Sequence, residues 1–226
     1  MRLGVPVAAQ RDEGQWQLVR APDRMCLCSP RGPDAVSIDL DLGNGPLARR
    51  IRQSRRDEPL PRAVSLHRRD RPPRVLDATA GLCRDAMVLA HLGCQVTAVE
   101  RIPALAFLAS TAIEGTWLAR NLAVVCGDSL AFLSSLPPDD RPDVVYLDPM
   151  FETKGRAQVK KDMQVCRALA GPPTDSEALL AAALRVARER VVVKREATAK
   201  VLAPGVAFAV DGERVRFDVY LVDTPQ

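Results

Sequence analysis

From Arg74 onward the chain alternates a short apolar run, a small-residue loop, a stretch with helical spacing and another apolar run. RVLDATAG predicts a strand ending at Asp77, RDAMVLAHLG a helix closed by Gly93, and CQVTAVE a second strand ending at Glu100. IPALAFLASTAIEGTWLAR reads as the next helix, LAVVCGD as a third strand ending near Asp128, and DVVYLDP as a fourth ending at Asp148. SEALLAAALRVARE predicts a further helix, RVVVKRE a strand, and GVAFAVDGERVRFDVYLV a hairpin turning at Asp211 and Gly212. Strands alternating with helices imply an α/β fold: a mainly parallel sheet covered on both faces, with an antiparallel hairpin at its C-terminal end.

Before Arg74 the rhythm is different. Short apolar patches such as WQLV and VSIDLDL alternate with Pro and Gly turns, which predicts a small N-terminal β-containing lobe. After Pro46 an arginine-rich stretch reads as a helix followed by a Pro-broken linker, EPLPRAV and RPPR. The expected division is therefore residues 1–72, lobe and basic linker, and residues 73–226, the main domain. Arginines between Arg49 and Arg74, with Arg49 and Arg50 at their head, form either a solvated surface or one that binds phosphates.

With 226 residues, 47% of them hydrophobic and only 4% aromatic, the chain can build a full core, mostly from Val, Leu and Ala. A net charge of +4 is too mild to argue for nucleic acid by itself. The six cysteines have no regular spacing and only two histidines accompany them, so reduced thiols in a cytoplasmic protein are expected and a metal site is not. No apolar run approaches the roughly 20 residues of a membrane span. Nothing in the sequence calls for an obligate protein partner.

Ligands of open α/β sheets bind beyond the carboxyl ends of the strands. Here successive predicted strands end in Asp77, Glu100, Asp128 and Asp148. Any one of them suits a helix cap equally well; together they describe an acidic site. The loop DATAGLCRD lacks the G-x-G-x-x-G of a dinucleotide site and the Walker pattern, which disfavours a nicotinamide-dependent dehydrogenase. A cationic cofactor with a ribose and an adenine suits the carboxylates, and S-adenosylmethionine has that chemistry. Glu100 would accept from the ribose hydroxyls and Asp128 from the adenine amine, with Ser129 donating to a ring nitrogen. Asp77 and the backbone from Ala78 to Gly81 would approach the methionine end, and Arg84, ahead of Asp85, either pairs with the cofactor carboxylate or is a surface charge.

VYLDPMFETK then gains a role. Asp148 and the Pro149 carbonyl would accept hydrogen bonds from an exocyclic amine, while Phe151 either stacks on the attached base or plugs the core behind the loop. Such an amine has its lone pair delocalised into the ring, so the site must orient it for in-line attack.

The stretches DATAGLCRDAMVLAHLGCQVTAVER, VVYLDPMF, KKDMQVCRALAG, RVVVKR and RFDVY resemble the RsmJ family from about Val75 to Tyr220. Members are bacterial methyltransferases that modify guanine N2 in 16S ribosomal RNA with S-adenosylmethionine. The resemblance implies a Rossmann-like class I methyltransferase fold, a small-subunit rRNA partner, and cofactor contacts at Arg84, Asp85, Glu100, Arg101, Asp128, Ser129 and Asp148. Lys154, Arg156, Lys160 and Lys161 follow the D-P-M-F motif as candidate RNA-phosphate ligands, with solvated lysines the plainer reading. Two departures stand out. Cys83 replaces a glycine usual in the family, and LARRIRQSRRDEPLPRAV replaces a longer glycine- and arginine-rich segment, H-R-R-K-F-G-G-G-R-G-E. The rival readings are methylation of an amine on another RNA or DNA base, and a non-catalytic ribosome-assembly or RNA-binding factor on the same fold.

Overall fold

A computed structural model describes residues 7–8, 14–22, 24–30, 35–149, 169 and 175–222. Its main sheet contains β5 (Arg74–Asp77), β6 (Gln95–Glu100), β7 (Leu122–Cys126), β8 (Val144–Leu147), β9 (Arg190–Glu196), β10 (Phe208–Asp211) and β11 (Val215–Leu221). They lie in the order β10-β11-β9-β8-β5-β6-β7. The strands from β9 to β7 are parallel, whereas β11 runs antiparallel to both β9 and β10. The expected α/β sheet with a C-terminal hairpin is thus present. Because the chain goes from β5 outward to β6 and β7, and then returns to the other side of β5 as β8, the order reverses between β5 and β8. That reversal opens a crevice at the carboxyl ends.

Side-chain alternation divides the core between the two faces of this sheet. Val75, Val144, Tyr146 and Val192 pack with Met87 and Leu89 of α3 (Arg84–His91) and Leu105 and Leu108 of α4 (Pro103–Ile113). The intervening Leu76, Val145, Leu147, Val191 and Val193 pack with Leu133 of α5 (Ser129–Ser135) and Leu179 and Leu180 of α6 (Ser176–Val186). Burial on both faces is why VVYL and VVV are continuous apolar runs.

The stretch expected as one helix through Arg120 stops at Ile113. Gly115, at φ +74°, turns the chain, and Trp117–Arg120 forms a 3-10 turn in which the Thr116 hydroxyl accepts from the Leu118 amide at 3.3 Å. The α4 helix is apolar nearly all round because it is covered twice. Beneath it lies the main sheet; above it, a four-stranded sheet of β1 (Val7–Ala8), β2 (Gln17–Arg20), β3 (Met25–Cys28) and β4 (Ser37–Asp39) places Leu18, Leu27 and Ile38 in the same apolar cluster as Leu105 and Leu108.

The arginine-rich stretch begins as expected with a helix, α1 (Pro46–Arg52), but EPLPRAV is not a linker. Glu58 precedes a short helix, α2 (Pro59–Ala63), whose Leu60 and Ala63 are buried along with the following Val64 and Leu66. Pro59 and Pro61 sit in the first turn, where a missing N–H costs no intrahelical bond. The prolines therefore start a helix here and do not break one. Gly93 closes α3 as expected, at φ +104°, with the Cys94 amide donating back to the Leu89 carbonyl at 3.0 Å.

Candidate functional site

The loop after β5 holds the site together. Asp77 ends the strand, and its Oδ1 accepts from the Thr79 amide at 3.1 Å. The Ala78 carbonyl accepts from the Ser129 hydroxyl at 2.5 Å, and the Gly81 amide donates to Glu100 Oε2 at 2.7 Å. Glu100 Oε1 takes the Ile102 amide, also at 2.7 Å. Across the strand order reversal, the Asp148 amide donates to Thr79 Oγ1 at 2.6 Å. One loop thus links the ends of β5, β6 and β8 and the start of α5.

Asp148 follows β8 directly. Its Oδ2 lies 2.9 Å from Nζ of Lys194, whose ammonium also donates to Asp85 Oδ2 at 2.8 Å. That same Asp85 oxygen accepts from the hydroxyl of the fully buried Tyr146 at 2.6 Å. The parity of the sheet explains the meeting. Asp77, Tyr146, Asp148 and Lys194 continue the alternate positions Val75, Val144 and Val192 that face α3, and Asp85 stands in the first turn of that helix. Thr79, Tyr146 and Lys194 went unnoticed as site residues in the sequence. The signal was a lone lysine after three buried valines in a central strand, since an ammonium there requires anionic partners.

Burial raises the pKa of Asp77, 2% exposed, to about 8, a shift that the Thr79 amide opposes and the charges of Asp85 and Asp148 reinforce. Burial likewise raises that of Glu100 against the pull of its two backbone amides. At Asp85 the burial effect is overcome by the Lys194 ammonium and by the hydrogen bonds from Lys194 and Tyr146, so its pKa falls. Asp148 goes the other way, raised by desolvation and by Asp85 despite Lys194. Lys194 is raised: its two carboxylates outweigh its own desolvation.

Asp77 therefore keeps its proton in the folded state over a pH range in which the unfolded chain has lost it. Between the usual carboxylate value of 3.8 and about 8, folding binds a proton, and stability declines as pH rises through that window. Asp77→Asn should remove this decline. Melting curves between about pH 5 and about pH 8 should show the variant gaining on the parent as pH increases; a constant difference would mean that folded Asp77 is ionised.

Two expectations need adjustment. The strand expected to end near Asp128 ends at Cys126, and Asp128 is the exposed cap of α5, its Oδ1 accepting from the Ala131 amide at 2.9 Å. Ser129 directs its proton at the Ala78 carbonyl, so in this arrangement it serves the loop and not a ring nitrogen. Arg50, on α1, pairs with Glu58 at 2.6 Å and its charge reaches Asp85; Arg49 beside it is exposed. Arg84 is exposed at the first position of α3, Arg101 is half-buried after β6, and Pro149 is buried. Phe151, Lys154, Arg156, Lys160 and Lys161 lie outside the described residues.

Cys83 occupies the position before α3 at φ +56°, a left-handed conformation that favours glycine. A side chain in it costs roughly 1–2 kcal/mol. The thiol is fully buried, and burial lifts its pKa well above the usual range, so it is an inert packing group.

These residues suit S-adenosylmethionine. A carboxylate offers about four acceptor sites, and each Glu100 oxygen spends one on an amide, leaving room for paired hydroxyl donors. A Cβ built at Gly81, φ +54°, would meet nothing within 4 Å, so open space lies beside the loop. The carboxylates of Asp85 and Asp148 suit a cationic ligand. A 730 Å³ groove between the N-terminal sheet and the end of α4 lies elsewhere, lined by residues such as Arg24, Leu40, Leu108 and Trp117. Among the described residues no helix is long and apolar enough to cross a membrane.

Comparison with known proteins agrees with this geometry. The model of a family described as putative SAM-dependent methyltransferase matches residues 3–222. Ribosomal RNA small subunit methyltransferase J of Thioalkalivibrio sulfidiphilus is 42% identical over 206 residues, covering 87% of this chain and 80% of that protein. The protein of the same name from Edwardsiella ictaluri is 44% identical over 215 residues, covering 90% and 84%. The crystal structure of a SAM-dependent methyltransferase from Neisseria gonorrhoeae superposes with a TM-score of 0.72 at 32% identity, covering 95% of this chain and 86% of that one. With its sheet order, its acidic strand ends and these relatives, the chain is a SAM-dependent methyltransferase and belongs to the ribosomal RNA small subunit methyltransferase J family.

Proposed function

We propose that the enzyme methylates the exocyclic N2 amine of a guanosine in the 16S rRNA of the small ribosomal subunit, in the cytoplasm and without an obligate protein partner. The observation that carries this reading is the state of Asp148. Lys194 holds its Oδ2, while Oδ1 has no hydrogen-bond partner among the described residues and the side chain remains 41% exposed beyond the strand ends. A carboxylate so placed can accept an amine N–H. The names of the relatives, which specify small-subunit rRNA, supply the substrate class.

When bound, S-adenosylmethionine supplies a methyl group on a sulfonium. Glu100 holds the ribose hydroxyls, Asp128 the adenine amine and Arg84 the carboxylate. Asp77, the Ala78–Gly81 backbone, Asp85, Arg101 and Ser129 line the rest of the cofactor site. Asp148 Oδ1 and the Pro149 carbonyl take the two N–H groups of the guanine amine, which turns its lone pair toward the methyl carbon. Transfer would break the sulfonium's bond to the methyl carbon and leave a neutral thioether as the N–C bond forms; the nitrogen would then be acidic, and the proton it sheds would find Asp148 within reach. Phe151 stacks on the extruded base, and Arg49, Arg50, Lys154, Arg156, Lys160 and Lys161 contact flanking phosphates. On this reading residues 73–226 carry the chemistry, and the 1–72 lobe contributes the arginine surface.

The test is transfer of labelled methyl from S-adenosylmethionine to small-subunit particles and rRNA from a strain lacking the gene, followed by nucleoside analysis. N2-methylguanosine in the 3′ region of 16S rRNA is expected. Label on an adenine, or none on RNA despite cofactor binding, would overturn the proposal in favour of another amine substrate or an assembly factor.

A further inference from the structure

We propose that Lys194 is a positioning residue for methyl transfer: its ammonium clamps one oxygen of Asp148 against Asp85 and leaves the other as an ionised acceptor for the substrate amine. The inference rests on the amine-methylation reading and adds to it the group that keeps its acceptor competent.

The geometry requires such a group. Asp85 and Asp148 each place Oδ2 within 2.9 Å of the same nitrogen, so the two carboxylates are neighbours. Without a cation between them, carboxylates this close do not both ionise, and one keeps a proton. Asp85 is also favoured as the anion because Tyr146 donates to it and the charge of Arg50 reaches it. The proton would therefore fall on Asp148. A protonated Asp148 donates where it should accept, and the amine loses its orienting contact.

The charged and titratable groups facing Asp148 come from each surrounding element: Asp85 of α3 and Lys194 of β9, which act on it, and Asp77 of β5 and Tyr146 of β8, on which it acts. Burial and the charge of Asp85 disfavour its ionisation and Lys194 favours it. Lys194 is also well placed to hold geometry. Its side chain is 24% exposed, it stands on a strand hydrogen-bonded on both sides, and its stem follows Val192 on the face packed against α3. The acceptor is thus anchored at both ends, by the Thr79 hydroxyl through its backbone and by Lys194 through its carboxylate.

Lys194→Met should lower kcat by about 10²-fold, the scale of a misplaced reacting group, without weakening cofactor affinity. It should also move the acidic limb of the kcat profile to higher pH. Lys194→Arg, which retains a cation, should recover most of the loss. A second readout needs no RNA: carbon NMR of the Asp148 carboxyl should show its titration midpoint at higher pH in Lys194→Met. In Asp85→Asn, where Lys194 serves Asp148 alone, the midpoint should fall. Undiminished kcat in Lys194→Met, or a midpoint that moves in neither variant, would overturn the proposal. Should Lys194→Met not fold, the Asp85→Asn midpoint decides alone, downward in support and unmoved against. If the parent enzyme methylates no guanosine, the substrate reading fails while the carboxyl titration still rules on the clamp.

Discussion

Asp148→Ala is expected to reduce methyl transfer by about 10³-fold, within the range lost when a positioned proton acceptor is removed, while leaving the fold in place. The second expectation follows from how the residue is held. Its backbone amide bonds Thr79 whatever side chain it carries, and the side chain is 41% exposed, so little packing is lost. The variant leaves Lys194 to Asp85, a pair that remains charge-balanced. Single-turnover transfer to rRNA measures the first effect and a thermal melt the second. Full activity in a folded variant would remove Asp148 from the chemistry.

Glu100→Ala should have two effects of similar size. Cofactor affinity should weaken by about 1–3 kcal/mol, the usual value of hydrogen bonds to a charged group, which is about 5- to 150-fold in Kd. Stability should also fall, because the carboxylate is 7% exposed and takes both the Gly81 and the Ile102 amides. Each stranded amide costs about 1–3 kcal/mol. The two effects separate in Glu100→Gln, which keeps one carbonyl oxygen for an amide and has lost the anionic acceptor. Calorimetric binding of S-adenosylmethionine, at a temperature where each variant is folded, is the measurement. Unchanged affinity would place the ribose elsewhere.

The elements of the main domain were legible because their determinants are local. Apolar runs of strand length and the glycine after α3 act within a few residues, whereas the hairpin expected to turn at Asp211 and Gly212 pairs Asp211 with Arg216 and turns at Glu213 and Arg214. Misreadings occurred where tertiary contacts decide. Prolines in EPLPRAV looked like breaks, yet the segment packs against β10 and β11 with Leu60 buried, and they form the first turn of a helix. Asp128 looked like a strand end, yet the strand had already ended at Cys126 and the carboxylate caps α5.

The site divides along the same line. By itself the sequence determined that Asp77, Glu100 and Asp148 stand at the carboxyl ends of their strands, because that depends on where each apolar run stops. Only the tertiary structure decided which of them share a partner. Asp85, Asp148 and Lys194 are separated by 63 and 46 residues along the chain, and they meet because β8 returns beside β5, β9 lies beside β8, and alternation turns Asp148 and Lys194 to the face covered by α3, which carries Asp85. Charge balance is a property of neighbours in space. Which carboxylates share one ammonium was therefore settled by the strand order.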